Sequence, residues 1–472
     1  MRKVIAAILF ALLLGGCMMG PDYFRPFVQA PEGWRVTDQD ARDLANSAWW
    51  EQFDDPVLND LIGIALRENK NLLLASARIE EAAARLGVTR SQLYPQAGLG
   101  YSASQQRNII PGTSVKALYD TYDTALSLSW EIDLWGRIRR QSEASRAQLI
   151  ASQEGRQGVI LSLVASVATS YISLRDLDAQ LEVASETANS RGDTYQLFQD
   201  RYAAGTISIL ELAQNKSQYE DAVATIPALE KSVAQQENAL SILLGRNPGP
   251  IPRGKSIGDL VVPAIPAGLP STLLERRPDI RQAEQSLISA NALIGAAKAA
   301  YFPSISLTAL TGVTSAALST LYSNSSRFWQ NTGALSQPLF AGGALSGQVD
   351  IANAQQQQAL ISYQQAIQNA FSEVNNALID RDRTRVQLAA QRRELDALIQ
   401  YAEMARLRYD NGYTDYSDVL DAERSLFSVR LQYTQTQQTL LLALVNLYKA
   451  MGGGWVGDAD KLTVSAEKER AR

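Results

Sequence analysis

The stretch Arg408-Tyr409-Asp410-Asn411-Gly412-Tyr413-Thr414-Asp415-Tyr416-Ser417-Asp418-Val419-Leu420-Asp421 reads as a sharp turn between two very long helices. Gly412 can adopt the positive φ that ends a helix, and Asp415 or Ser417 offers a side-chain oxygen to cap the next one. The same arrangement stands earlier in the chain, where Arg201-Tyr202-Ala203-Ala204-Gly205-Thr206 leads into Glu211-Leu212. A turn of this kind occurring twice makes the chain a duplicated unit.

On both sides of each turn the sequence keeps a helical period. No proline interrupts Ala344 to Arg472, and Ala422, Leu426, Val429, Tyr433, Thr436, Leu440, Ala443, Leu447 and Ala450 step by four and three in a coiled-coil heptad. In the first copy a helix from about residue 137 to Tyr202 would hold about 65 residues and extend on the order of 100 Å. Ile160, Leu163, Val167, Tyr171, Leu174, Leu177 and Leu181 form its seam. Past Gly205 a second helix returns to Leu244-Gly245. Long helix pairs are therefore expected over about 137–245 and about 344–451.

Between the helical stretches the period changes to two. Ala97 to Ser104 alternates large or apolar with small or polar residues, Pro111-Gly112 marks a turn, and Thr121 to Asp133 alternates again through Ala125, Leu126, Leu128 and Trp130. A hairpin is predicted over about 96–133. A second is predicted over about 304–340, where Ser304 to Thr314 and Gln330 to Phe340 flank a Ser-rich loop. Each strand has roughly the 9 to 11 residues of a tilted membrane strand, with Tyr94, Tyr122, Trp130 and Trp135 near the ends. Pro56 opens a short helix to about Asn69, another runs from about Asn71 to Leu93, and Pro278 opens the counterpart in the second copy.

Arg2 and Lys3, the apolar run from Val4 to Leu14 and the small residues after it read as a secretory signal over residues 1–16. It is too short to span a membrane as a mature helix. It closes on Leu14-Gly15-Gly16-Cys17, which resembles the bacterial lipobox, where cleavage precedes a cysteine that then carries lipid. Met18 stands where an Asp would retain a sorted lipoprotein at the inner membrane, so the outer membrane is the expected address. Residues 17–48, broken by Pro21, Pro26 and Pro31, read as a lipidated tether without a core. The first repeat is expected over 49–245, a proline-rich connection over 246–270, the second repeat over 271–454 and a charged tail over 455–472.

Composition excludes most chemistry. The 472 residues hold no His and one Cys, which removes His-based proton transfer, His/Cys metal sites and internal disulfides. Carboxylate-only catalysis survives this filter. No metal site and no cofactor beyond a covalent lipid on Cys17 are expected. With 44 Lys and Arg against 49 Asp and Glu, scattered rather than striped, nucleic acid is not an expected partner. Two hairpins supply four strands, and an open edge in lipid leaves backbone N–H and C=O groups unpaired at several kcal/mol each. Several copies must therefore pool their hairpins into one barrel.

The lipobox, Gly20-Pro21-Asp22-Tyr23, Trp49-Trp50, Leu273-Leu274-Glu275-Arg276-Arg277-Pro278-Asp279-Ile280, Ala299-Ala300-Tyr301-Phe302-Pro303 and both Arg-Tyr-x-x-Gly turns together resemble the TolC-like outer-membrane factor family. The likeness is closest to its lipoprotein branch, which serves resistance-nodulation-division pumps. It covers nearly the whole chain. The resemblance implies a mainly α fold with transmembrane β: a homotrimer whose twelve-stranded barrel in the outer membrane continues as an α-helical periplasmic tunnel. It also implies an inner-membrane pump and a periplasmic adaptor as partners, the adaptor docking at the tips around Gly205, Gly412, Arg201 and Arg408. Taken alone, Arg277-Pro278-Asp279 is a helix start.

The two copies differ just past the turns. Asp418 and Asp421 lie i, i+3 on one face, whereas the aligned positions in the first copy are Glu211 and Gln214. Three such faces would set six carboxylates around an axis, repelling one another and attracting cations into a narrow mouth. Through the resemblance, Asp418 and Asp421 match the family's constriction aspartates, and Tyr409 matches a tyrosine of the network that holds the mouth shut. Thr414 stands where some members carry an arginine, leaving Arg424 as its substitute. The bland alternative is that acids in a first turn favour the helix N-terminus by about 0.3–1 kcal/mol each.

The expected function is a passive exit duct that performs no chemistry and releases small toxic compounds or drugs received from the pump. A duct for type I protein secretion or for metal ions is the alternative, although the five Met are scattered and form no soft-metal relay. A lipid-anchored scaffold without a pore does not account for four strand-length alternations. A carboxylate hydrolase would need a compact core that such helices do not provide.

Overall fold

The computed structural model describes residues 18–28, 33–34, 48–109, 116–263, 274–452 and 456; Cys17 and the charged tail beyond residue 456 lie outside them. Its elements are α1 (Pro56–Glu68), α2 (Lys70–Ser91), β1 (Gln96–Ile109), β2 (Lys116–Ile132), α3 (Arg137–Ala203), α4 (Ile209–Leu243), α5 (Pro278–Ala299), β3 (Ser304–Ser315), β4 (Arg327–Ser336), α6 (Ala344–Asp410) and α7 (Tyr416–Ala450). They form two compact units, one of residues 1–28, 77–153 and 282–364 and one of residues 29–76, 154–281 and 365–472.

The first unit holds all four strands, in one antiparallel sheet of order β1-β2-β3-β4. β2 pairs with β3, Trp130 opposite Leu307 and Thr124 opposite Val313, so the hairpins from the two copies join directly. β1 and β4 are left as edges among the described residues. β4 ends at Ser336, earlier than the alternation toward Phe340 suggests, because Pro338 has no N–H to offer a ladder. Register sorts the side chains by chemistry. One face carries Leu99, Tyr101, Leu126, Leu128, Trp130, Leu307, Trp329 and Leu335, all exposed. The other carries Gly98, Gly100, Ser102, Ser127, Ser306, Thr308, Gln330 and Thr332. An apolar face turned outward with polar residues opposite is inverted relative to a water-soluble sheet and fits a lipid-facing barrel wall. Trp135 Nε1 closes the base of the sheet by donating to Pro303 O at 2.8 Å, and its ring stacks on Phe302 at 4.7 Å.

The segment from Met18 to Val28 departs from expectation. It has no regular structure, as its prolines require, yet it is docked rather than free. Met19 N–H donates to Trp135 O at 3.1 Å, and the Arg140 guanidinium, 3% exposed, donates to Met19 O and Gly20 O and pairs with Asp22 at 2.9 Å. Asn291 Nδ2 donates to Pro21 O, Tyr23 OH to Glu284, and Arg25 pairs with Glu284 at 3.1 Å. A Cβ at Gly295 would stand 2.3 Å from Met19 O, so only glycine admits the strap at that point. A burial pattern could not have revealed this, because the strap is held by polar groups on α3 and α5.

The second unit contains the main apolar core. Trp49 and Phe53 are fully buried, and Trp49 stacks on Tyr448 at 5.2 Å. Asp55 caps α1 through Val57 N–H at 2.9 Å, with Pro56 at the first position, and also accepts from Tyr171 OH at 2.7 Å and Lys255 N–H at 3.1 Å. One buried carboxyl thus ties α1 and α3 to the connection between repeats. Asn69 separates α1 from α2, its Oδ1 capping α2 at Asn71 and Leu72 while its Nδ2 donates to Leu243 O. Arg277 is buried, pairs with Asp279 and Glu373 at 2.7 Å, and donates to Ala450 O. Pro227 is accommodated inside α4. α3 is long and apolar enough to cross a membrane, but 56% of its most apolar window is buried in the protein, as in a core helix.

On α3, Asp176 is 3% exposed and receives Gln180 Nε2 at 2.7 Å, while its Oδ1 has no hydrogen-bond partner among the described residues. Burial raises its pKa to about 6, above the 3.8 of a free side chain, so the folded state binds the proton more tightly than the unfolded chain. The stabilisation is complete below about pH 4 and is lost as pH rises through about 6. Thermal unfolding in detergent from pH 4 to 8 is expected to show Asp176→Asn more stable than the parent above pH 6 and little different near pH 4.

Candidate functional site

The two duplicated turns share one backbone and differ in side chains. α3 ends at Ala203 and Gly205 takes φ 73, with Gly205 N–H donating to Tyr202 O and Thr206 N–H to Arg201 O, both at 2.9 Å. α6 ends at Asp410 and Gly412 takes φ 75, with Gly412 N–H donating to Tyr409 O and Tyr413 N–H to Arg408 O, again at 2.9 Å. This paired closure with a left-handed glycine is the αL stop that spares a side chain the positive φ. Gly205, Gly412 and Arg408 are exposed; Arg201 lies 5.6 Å over the Phe198 ring.

The caps that follow are not equivalent. Ser208 caps α4 in a reciprocal box: Glu211 N–H donates to Ser208 Oγ at 3.2 Å, and Ser208 N–H to the Glu211 carboxylate at 2.8 Å. Asp415 occupies the corresponding place before α7 but makes no side-chain cap, and Ser417 makes none either, contrary to expectation. The Thr414 hydroxyl instead donates to Asp418, and Arg424 pairs with Asp421 at 2.7 Å. Each aspartate of the i, i+3 pair is therefore engaged by a different neighbour, and both contacts are solvent-exposed.

Behind them lies an aromatic cluster that the heptad pattern did not reveal. Tyr409 stacks on Phe198 at 6.4 Å and meets Tyr416 edge-on at 4.8 Å, while Phe198 and Tyr416 approach to 4.5 Å. Tyr416 is buried and its OH donates to Asn215 Oδ1 at 2.8 Å; Asn215 in turn donates to Glu211 O. This joins α7 to α4, the return helices of the two copies. Stepping the α7 apolar series back from Ala422 by threes reaches Val419 and Tyr416, the one signal that could have found it. Burial raises the Tyr416 pKa.

A buried charge cluster lies farther along the same helices. Arg191 is 5% exposed, donates to Gln218 O at 2.8 Å and sits 5.1 Å over the Phe427 ring, and burial lowers its pKa. Burial raises the pKa of Glu423 against the opposing pull of Arg406 and Arg191. Neutral Tyr and Asn side chains thus hold the turn, while its carboxylates remain at the surface. What this arrangement can do is present charge and close space.

The outer membrane efflux protein family matches the chain twice, over residues 61–246 and 269–453. Cation efflux system protein CusC of Escherichia coli O6:H1 is 37% identical over 451 residues, covering 94% of this chain and 97% of that protein. Toluene efflux pump outer membrane protein TtgF of Pseudomonas putida is 36% identical, covering 96% and 98%. A crystal structure of CusC superposes with a TM-score of 0.83 at 35% identity, covering 93% of this chain and all of that one. The open-state outer membrane channel MtrE of Neisseria gonorrhoeae superposes at 0.82 with 32% identity, covering 93% and 99%. With both repeats matched by the family and relatives aligned over more than nine-tenths of the chain, this chain belongs to the outer membrane efflux protein family and is an efflux channel of the outer membrane.

Proposed function

We propose that three copies of this chain form the exit duct of a tripartite pump, receiving small toxic compounds from an inner-membrane resistance-nodulation-division transporter through a periplasmic adaptor. The four-stranded sheet with two open edges and an outward apolar face carries this reading. Closing β4 of one copy on β1 of the next satisfies both edges, and three sheets give a twelve-stranded barrel. The duct needs no catalytic group. A second reading, a cation duct, is favoured by the similarity to CusC, named a cation efflux system protein. Export assays of a deletion strain complemented with this chain, challenged in parallel with organic solvents and with metal salts, separate the two.

In this reading Asp418 and Asp421 line the periplasmic mouth, with Tyr409, through its ring contacts, and Arg424 as its fasteners. An exposed i, i+3 pair such as Arg424 with Asp421 contributes only about 0.3–0.5 kcal/mol, so it can yield when the adaptor engages. In planar bilayers Asp418→Ala combined with Asp421→Ala is expected to lower cation selectivity several-fold and to relieve block by multivalent cations. Unaltered selectivity and block would leave them as helix-start acids.

The tips at Gly205 and Gly412 are assigned to adaptor docking together with Arg201 and Arg408. The double substitution Gly205→Trp, Gly412→Trp should abolish export while the trimer still assembles, as read by resistance assays beside native electrophoresis; full resistance would count against docking there.

Cys17 is assigned as the lipidated mature N-terminus. Support comes from Met19, two residues on, which is bonded to Trp135 at the base of the sheet and so lies where a lipid could enter the membrane. Intact mass measurement should give a chain starting at Cys17 and carrying lipid, and an unmodified thiol would exclude it.

A further inference from the structure

The lipid-facing side of the sheet is apolar through most of its height and then becomes cationic at the end remote from the helices. Along β4 that face runs from Leu335 through Gly333, Asn331 and Trp329 to Arg327. Eight residues at about 3.4 Å each, tilted about 40°, place Arg327 about 20 Å above Leu335, near the top of an apolar band about 25 Å tall. Arg327 is exposed and makes no ion pair or side-chain hydrogen bond among the described residues. It helps to line a shallow groove of about 520 Å³ with Tyr322, Trp329, Val313 and Leu126, in which Trp329 is 75% and Tyr322 76% exposed. The register places Arg107, opposite Leu118, and Lys116, opposite Ile109, on this face as well, while Asp120 is occupied by Gln105 Nε2 at 2.7 Å.

A guanidinium without a partner among the described residues, flanked by two rings with polar tips over an apolar groove, matches one molecular shape: a phosphate ester carried on acyl chains. The groove takes the chains, the rings sit at the boundary, and the planar fork takes phosphate oxygens. Because the hairpin loops lie at the end of the sheet opposite the helices, this rim faces the outer leaflet, whose phosphorylated lipid is the glycolipid lipid A. We infer that Arg327, with Tyr322 and Trp329, binds the phosphate of an outer-leaflet lipid A molecule on the outside of the barrel. This rests on the outer-membrane channel reading and assigns it a specific boundary lipid.

The test uses full-length protein in detergent, titrated with lipid A and followed by native mass spectrometry, with planar-bilayer conductance recorded on the same preparations. Arg327→Gln is expected to weaken lipid A retention about tenfold, as one charge-assisted contact is lost. Arg327→Lys should keep most of the retention, and both variants should conduct like the parent. Equal retention by parent and Arg327→Gln in protein that conducts overturns the site and leaves the channel standing; a parent that fails to conduct overturns both. Displacement of bound lipid A by equimolar inorganic phosphate overturns the commitment to a lipid.

Discussion

A β-sheet in hydrocarbon cannot keep an open edge, and this chain has two. The outer sides of β1 and β4 carry backbone N–H and C=O groups that no described residue pairs, each costing several kcal/mol away from water. The four strands among the described residues cannot close a barrel around a channel by themselves, so in the proposed trimer assembly is a condition of insertion rather than an elaboration of it. The duplication acquires its purpose here. Each repeat contributes one hairpin, and the β2 to β3 ladder from Tyr122↔Ser315 to Ile132↔Ile305 fuses them into one wall segment before any second copy is needed.

Duplication also allows the copies to diverge where they are free to. Backbone geometry at the two tips is the same down to the hydrogen bonds around Gly205 and Gly412. The first copy invests its polar side chains in a reciprocal cap, Ser208 with Glu211, which rigidifies the start of α4. The second gives up that cap and engages Asp418 and Asp421 through Thr414 and Arg424 at the surface. A helix start without a side-chain cap loses about 1 kcal/mol, but the buried bond from Tyr416 to Asn215 couples it to the capped helix. The stable copy thus supports the one whose carboxylates remain available.

Local signals were legible and distant ones were not. The switch from period two to period 3.6 located both hairpins and all four long helices, and the positive φ at Gly412 could be anticipated from a glycine placed after an unbroken helical run. Asp415 makes no side-chain cap because propensity names only a residue able to cap, whereas the Asp418 N–H that it would satisfy donates to the Asp415 backbone carbonyl instead. Tyr416 and Asn215 are 201 residues apart, and no spacing rule reaches that far. The prolines and polar residues of Met18–Val28 point to an extended tether without a core, and they give no sign of its docking because polar groups, not apolar ones, hold it.

The chain's buried charges explain why polar groups could do that work. Arg140 gathers Met19, Gly20 and Asp22 of the strap with Glu143 of α3, and Arg277 gathers Asp279, Glu373 and Ala450; at the surface Arg253 joins Asp178 to Glu237 in the same way. Each is an arginine spread over two or more acceptors from different elements. A planar fork of five donors can satisfy a carbonyl and a carboxylate together, while a lysine offers a more strongly hydrated point charge that is costlier to bury. Slender helices bury little apolar surface per residue away from the Trp49 core, so guanidinium groups take over where the core ends. The same residue type that stitches the strap in place inside the protein is exposed and without a partner among the described residues on the lipid face at Arg327, and in the proposed lipid site the difference between the two roles is whether the protein or the membrane supplies the anion.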